Sequence, residues 1–382
     1  MKKGLLAGTA LVAIATMLPG PANAQVELGL SGYMYQWFGY AKNDDDLGVE
    51  GQEPVRNDFS GTNTASDTEI HFVGETTLDN GLMFGVNVQL EGNTESDQID
   101  ESYLYVEGTF GRVELGSENS ASFKMQYAAP DVGIELNSGD QDLWISFDGV
   151  GGDAGYDRSG FNSTFVEVDR NNDARRLTYY SPRFFGFQVG ASYAPNTNQD
   201  DNGPVDRDAD EVTDIFNIGA NYVETFGGFE VAVAGGWGRG KGNGGIDDDP
   251  TAWSLGTNIG FAGFTVGGSY AQTKDNTGDE GDTTGWDIGV SYETGPWAVS
   301  LAFLRGKRDG QGTGPNGDGL DANGNVLAQK AELNTLHLSS SYALGPGVKM
   351  AGTIGGGSLK DEGGAGKDND YWYAVVGPRL KF

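Results

Sequence analysis

Between Leu82 and Glu91 the chain reads Leu-Met-Phe-Gly-Val-Asn-Val-Gln-Leu-Glu, apolar at every even position and turning to Gly, Asn, Gln and Glu at the odd ones. Side chains of an extended strand point alternately to its two faces, so this period of two makes one face greasy and the other wettable. The same alternation recurs over 26–40, 68–78, 102–108, 112–117, 174–181, 187–194, 215–223, 229–239, 252–260, 264–273, 285–292, 297–305, 334–344, 348–359 and 371–382. Together these predict about sixteen strands. After Gln25 no apolar run reaches the roughly 18 residues that a membrane-spanning helix needs.

The connections narrow the choice of fold. Alternate ones are tight and glycine-marked, as in Leu78-Asp79-Asn80-Gly81, Phe226-Gly227-Gly228-Phe229 and Thr294-Gly295-Pro296-Trp297, which are hairpin turns by composition. The others are long and acidic, among them 42–67, 118–173, 195–214 and 306–332. Short turns at one end of a sheet and long loops at the other are expected of an all-β, up-and-down antiparallel transmembrane barrel with an apolar outer band and a polar lumen. Closure also removes the exposed edges that so many strands would otherwise leave. A soluble repeat protein with a core buried between two sheets is the alternative, but nothing in it requires connection lengths to alternate. Aromatic residues near strand ends, such as Trp37, Phe110, Phe226, Trp297 and Trp372, suit the two membrane interfaces.

Residues 1–24 read as an export signal: Lys2 and Lys3, an apolar run from Leu5 to Leu18, Pro19-Gly20-Pro21, then the small-x-small site Ala22-Asn23-Ala24. The barrel domain is then 25–382. Over the whole chain 55 Asp+Glu oppose 24 Lys+Arg for a formal charge of -31, which repels a nucleic-acid backbone, and there is no cysteine for disulfides, thiolate metal sites or thiol catalysis. His71 and His337 are the only histidines, and there is no Gly-x-Ser-x-Gly elbow, so no enzyme chemistry is expected.

Three blocks carry a family resemblance: Glu101 to Gly116 (ESYLYVEGTFGRVELG), Arg176 to Tyr193 (RLTYYSPRFFGFQVGASY), and the terminal strand with Trp372, Ala374, Val376 and Leu380 on its alternating face before Phe382. On these the chain resembles the trimeric general porins of Gram-negative outer membranes. The resemblance implies a homotrimer of 16-stranded barrels surrounded by outer-membrane lipid and lipopolysaccharide. It also implies a terminal Phe read by the outer-membrane assembly machinery, and a third loop folded inward to narrow a water-filled pore for ions and small hydrophilic solutes. That constriction loop would be 118–173, whose apolar residues, including Ile134, Leu136, Trp144, Phe147 and Phe161, have no use in a freely solvated loop.

In such porins loop acids face wall arginines across the constriction. Carried onto this chain, the acidic side would be Asp131, Glu135, Asp140, Asp142 and Asp148, and the basic side Arg112 and Arg176, which strand parity turns inward along with Glu114 and Tyr180. Arg379 and Lys381 also turn inward, near the periplasmic end. Glu69 and His71 stand where the family often has basic residues, and Ser117 where it often has Arg. The expected arginine cluster is therefore thin, and the pore is expected to prefer cations. No cofactor is expected, with acidic outer loops such as Asp247-Asp248-Asp249 as candidate Ca²⁺ or Mg²⁺ sites. The alternative function is a structural or adhesive barrel whose external loops bind a ligand.

Overall fold

The computed structural model describes residues 26–44, 58–92, 98–147, 158–199, 203–209, 211–244, 249–274, 282–311, 328–362 and 368–382. Residues 1–24, read above as the export signal, lie outside them.

Sixteen antiparallel strands close into one barrel. They are β1 (Glu27–Lys42), β2 (Gly61–Thr77), β3 (Met83–Glu91), β4 (Ile99–Gly108), β5 (Gly111–Ser117), β6 (Arg175–Tyr180), β7 (Phe187–Asn196) and β8 (Val212–Phe226). There follow β9 (Phe229–Gly242), β10 (Thr251–Phe261), β11 (Phe264–Lys274), β12 (Thr283–Thr294), β13 (Trp297–Gln311), β14 (Ala328–Gly345), β15 (Val348–Glu362) and β16 (Asn369–Lys381). Each strand pairs with its neighbours in sequence, and β1 pairs with β16 through Phe38↔Val376, Tyr40↔Ala374 and Lys42↔Trp372. The seam continues past the last paired residue: the Gly32 amide donates to the Phe382 carbonyl at 2.9 Å and the Phe382 amide to the Gly32 carbonyl at 3.0 Å.

Every predicted segment is a strand, and the alternation sorts as expected, but Trp37, assigned above to a membrane interface, is 2% exposed and packs inside the barrel against the long loop. Leu28, Leu30, Phe38, Leu104, Leu115, Leu301, Leu338 and Ile354 are exposed on the outer face, where only lipid makes their exposure favourable. Rings pair along the short-turn end, where Phe229 stacks on Phe261 at 4.3 Å and Phe264 lies against Tyr292 at 4.4 Å. Polar residues take the inner face: Ser192, Asn217, Ser254, Asp287, Ser300, Thr335, His337 and Thr353 are all buried.

They are buried by the long segment between β5 and β6. It opens with a one-turn helix, α1 (Ala121–Lys124), capped by the Ser120 hydroxyl, and contains 3-10 turns at Asp140–Leu143 and Val168–Arg170. Its apolar residues Ile134, Leu136, Trp144, Ile145, Phe147 and Phe161 pack with Leu304, Leu333, Leu359, Tyr373 and Val375 of the wall. Val166 and Val168 pack with Ala194, Val212, Ile215 and Ala252. The hydrophobic core of this barrel is thus the seam between loop and wall. Leu143 is the exception and stays exposed.

Candidate functional site

The loop's polar contacts trace its path. The Ala121 amide donates to Ser192 Oγ on β7, the Ala129 amide to Asp287 on β12, the Val132 amide to Ser300 on β13, and the Ile134 amide to Thr353 on β15. Arg379 on β16 then donates to the Gly133 carbonyl, and Trp37 on β1 to Asp140. The return leg donates from Thr164 to Asp287 and accepts from Thr273 through the Ser159 carbonyl. One connection can touch the same face of strands so far apart around the barrel only by crossing its interior. Small wall residues permit the approach: a Cβ at Gly256 would overlap the Tyr127 carbonyl oxygen, and one at Gly306 the Phe161 carbonyl oxygen.

This path changes the meaning of several residues picked out in the sequence. Asp131 is not a lumenal acid: its side chain is 1% exposed and lies 2.7 Å from His337 Nδ1, pinning the loop to β14. Burial alone would raise its pKa, but the His337 ring and hydrogen bonds from Ser339 and the Gly133 amide hold it down at about 2. Asp140 is buried against the Trp37 indole. That burial, reinforced by Asp67 and Glu135, pushes its carboxyl up to about 7. Asp142 accepts from Asn162 and is likewise raised, by burial. Of the described loop acids picked out in the sequence, Glu135 alone keeps its side chain open, 46% exposed and 2.7 Å from Arg379. Asp148 lies outside the described residues.

The basic side is corrected as well. Arg176 does turn inward, but the return leg covers it, leaving its side chain 1% exposed with donors to the Asn171 carbonyl and amide oxygen and Glu167 at 3.6 Å. It anchors the loop and is no open pore-wall charge. Arg112 is held by Glu114 at 2.6 Å and lies 3.6 Å over the Tyr105 ring. Arg379, placed by the sequence near the strand end, is the wall cation that meets the open loop carboxylate, Glu135.

While the loop is docked on β7–β16 and β1, the inner faces of β2–β5 carry carboxylates and tyrosines. Glu69 accepts from Tyr33 at 2.5 Å and lies 2.7 Å from His71. Glu75 takes the Tyr105 hydroxyl, and Glu101 takes amide donors of Gln89 and Asn119. Glu75, Glu91 and Glu107 are open or partly open. Glu91 follows from the strand alternation and was within reach of sequence reasoning, whereas Asp67 fell in the segment read as the loop 42–67 and enters the wall because β2 begins at Gly61. Lys124, on the loop, was not: it reaches Glu118 at 2.9 Å and Glu114 at 3.4 Å, beside Tyr180. The expected polarity is therefore partly inverted, with acids on the wall and a cation on the loop.

Oxygens of Glu69, Glu91 and Asp100 lie within 4.8 Å of one another, a spacing able to hold a divalent cation. The outer-loop triplet is less apt. Asp247 and Asp248 lie outside the described residues, and Asp249 is engaged with Arg239 at 2.5 Å and the Gly242 amide at 3.1 Å.

A closed barrel with an oily exterior and a charged interior carrying a docked loop is a transmembrane barrel of the outer-membrane class. A Gram-negative porin family pattern matches residues 7–362, and the chain belongs to that family. An anion-selective porin from Comamonas acidovorans superposes with a TM-score of 0.59 at 21% identity, covering 94% of this chain and 100% of that one. The outer-membrane channel DcaP of Acinetobacter baumannii superposes at 0.57 and 13% identity, covering 96% and 100%. Among curated sequences, an uncharacterized protein of Rickettsia conorii is 26% identical over 216 residues, 52% of this chain and 49% of its own length. The chain spans about half the length of the curated relatives it matches.

Proposed function

We propose that the protein is a passive outer-membrane channel for ions and small hydrophilic solutes and that it prefers cations. The residues 118–147 and 158–173 act as its constriction, and the working unit is a homotrimer embedded in outer-membrane lipid and lipopolysaccharide. The observation that carries the cation preference is the lumenal wall opposite the docked loop. On β2–β5, Asp67, Glu69, Glu75, Glu91 and Glu107, none of them buried, outnumber Arg112, and their fields act at the ion path itself rather than across a screened outer loop. The family supports the channel; the wall supports its sign.

Reversal potentials in a KCl gradient across a planar bilayer test this reading. A potassium preference is expected, and a chloride preference overturns it. A purified protein that inserts yet shows no steady open state favours the structural barrel instead.

A further inference from the structure

The Lys124 ammonium sits in a cage contributed by three strands and the loop base. Its nitrogen is 2.9 Å from Glu118 Oε1 and 3.4 Å from Glu114 Oε2, and 5.4 and 5.7 Å from the ring centres of Tyr103 and Tyr180. The two carboxylate side chains are 2% and 3% exposed, whereas that of Lys124 is 32% exposed. The cage is lined more fully than one tethered amine can use. Among the described residues Glu118 Oε2 and the Tyr180 hydroxyl, both buried, have no hydrogen-bond partner. Glu101, engaged with Gln89 and Asn119, lies nearby, and Arg112 holds the other oxygen of Glu114, leaving Glu114 Oε2 to face Lys124.

The same combination of tyrosine face and carboxylate holds a cation twice more in the lumen, with Arg112 over Tyr105 beside Glu114 and Arg379 over Tyr35 beside Glu135. Those guanidinium groups are fixed by further bonds, to Glu107 and to the Gly133 carbonyl respectively. Lys124 differs: it is the last residue of a one-turn helix, on a four-carbon stem open to the lumen, and an ammonium is a compact charge that moves readily.

We propose that Glu114, Glu118, Tyr103 and Tyr180 form a subsite for the ammonium group of a permeating solute, and that Lys124 is its resident, exchangeable occupant. A primary ammonium entering the lumen replaces the Lys124 nitrogen against the two carboxylates and ring faces, and its three N–H groups, the same number as on Lys124 but free of a tether, turn toward the oxygens that Lys124 leaves unused. The site thereby assigns a preferred solute class, small primary amines, to a channel otherwise read only as cation-preferring. This rests on the proposed cation preference.

The test is block of potassium current by ethylammonium chloride in planar bilayers holding the full protein. A tethered competitor raises the concentration needed for half-block, so Lys124→Ala is expected to lower it about tenfold. Lys124→Arg is expected to behave as wild type, and Glu118→Gln added to Lys124→Ala to restore the weaker block. Lys124→Gln serves if the alanine variant fails to insert. An unchanged half-block concentration on removing Lys124, or no weakening with Glu118→Gln, overturns the subsite. A wild-type chloride preference in the same bilayers overturns the underlying reading instead.

Discussion

Asp140 shows how a side chain's role depends on what covers it. Its carboxyl is held up at about 7 by burial and by Asp67 and Glu135, whereas an unfolded aspartate titrates near 4. The folded protein therefore keeps a proton on Asp140 that the unfolded chain has released. The stability this provides is complete below about pH 4 and lost as pH rises through about 7. Thermal unfolding in detergent should fall over that interval, by on the order of 2–4 kcal/mol from this group, and Asp140→Asn should flatten the fall. Asp131 has the opposite sign, its contribution waning only as pH drops toward about 2. Parity alone placed Arg176, Glu114 and His71 on the inner face. It could not reveal that the return leg lies over Arg176 and not over Glu69, because that cover comes from residues remote in sequence, such as Glu167 and Asn171.

Strands were legible wherever lipid dictated their pattern. The predicted segments 297–305 and 334–344 stop short of β13 and β14, which continue to Gln311 and begin at Ala328. Beyond the apolar band the outward positions hold Arg305, Lys307 and Glu332, joined at 2.6 and 3.5 Å, so backbone pairing persists after hydrophobic alternation has ended. β2 extends back to Gly61 for the same reason. The docked loop was legible from its apolar content, but its route was written in the wall's small residues. Gly306→Val should push the Phe161 segment off β13 and into the lumen. The expected outcome is a lower single-channel conductance together with a loss of about 1–3 kcal/mol in unfolding free energy, as for other overpacked contacts.

At the scale of the whole barrel, stability comes from two separate sources, lipid outside and the loop seam inside. The outer one can be probed alone. Leu338 on β14 is exposed opposite Leu301 of β13. Leu338→Arg should cost about 2–4 kcal/mol when refolding into lipid vesicles is followed by denaturant titration, while leaving conductance unchanged. The inner source is what the acidic composition alone could not convey, since wall and loop together decide which charges remain open to solutes. The pairing of β1 with β16 has a temporal consequence. The two partners of that seam are separated by almost the entire sequence, so every shorter intermediate is an open ribbon with two sticky margins. Such a topology folds slowly and invites association between nascent copies, and it makes an escort through the aqueous compartment a physical requirement.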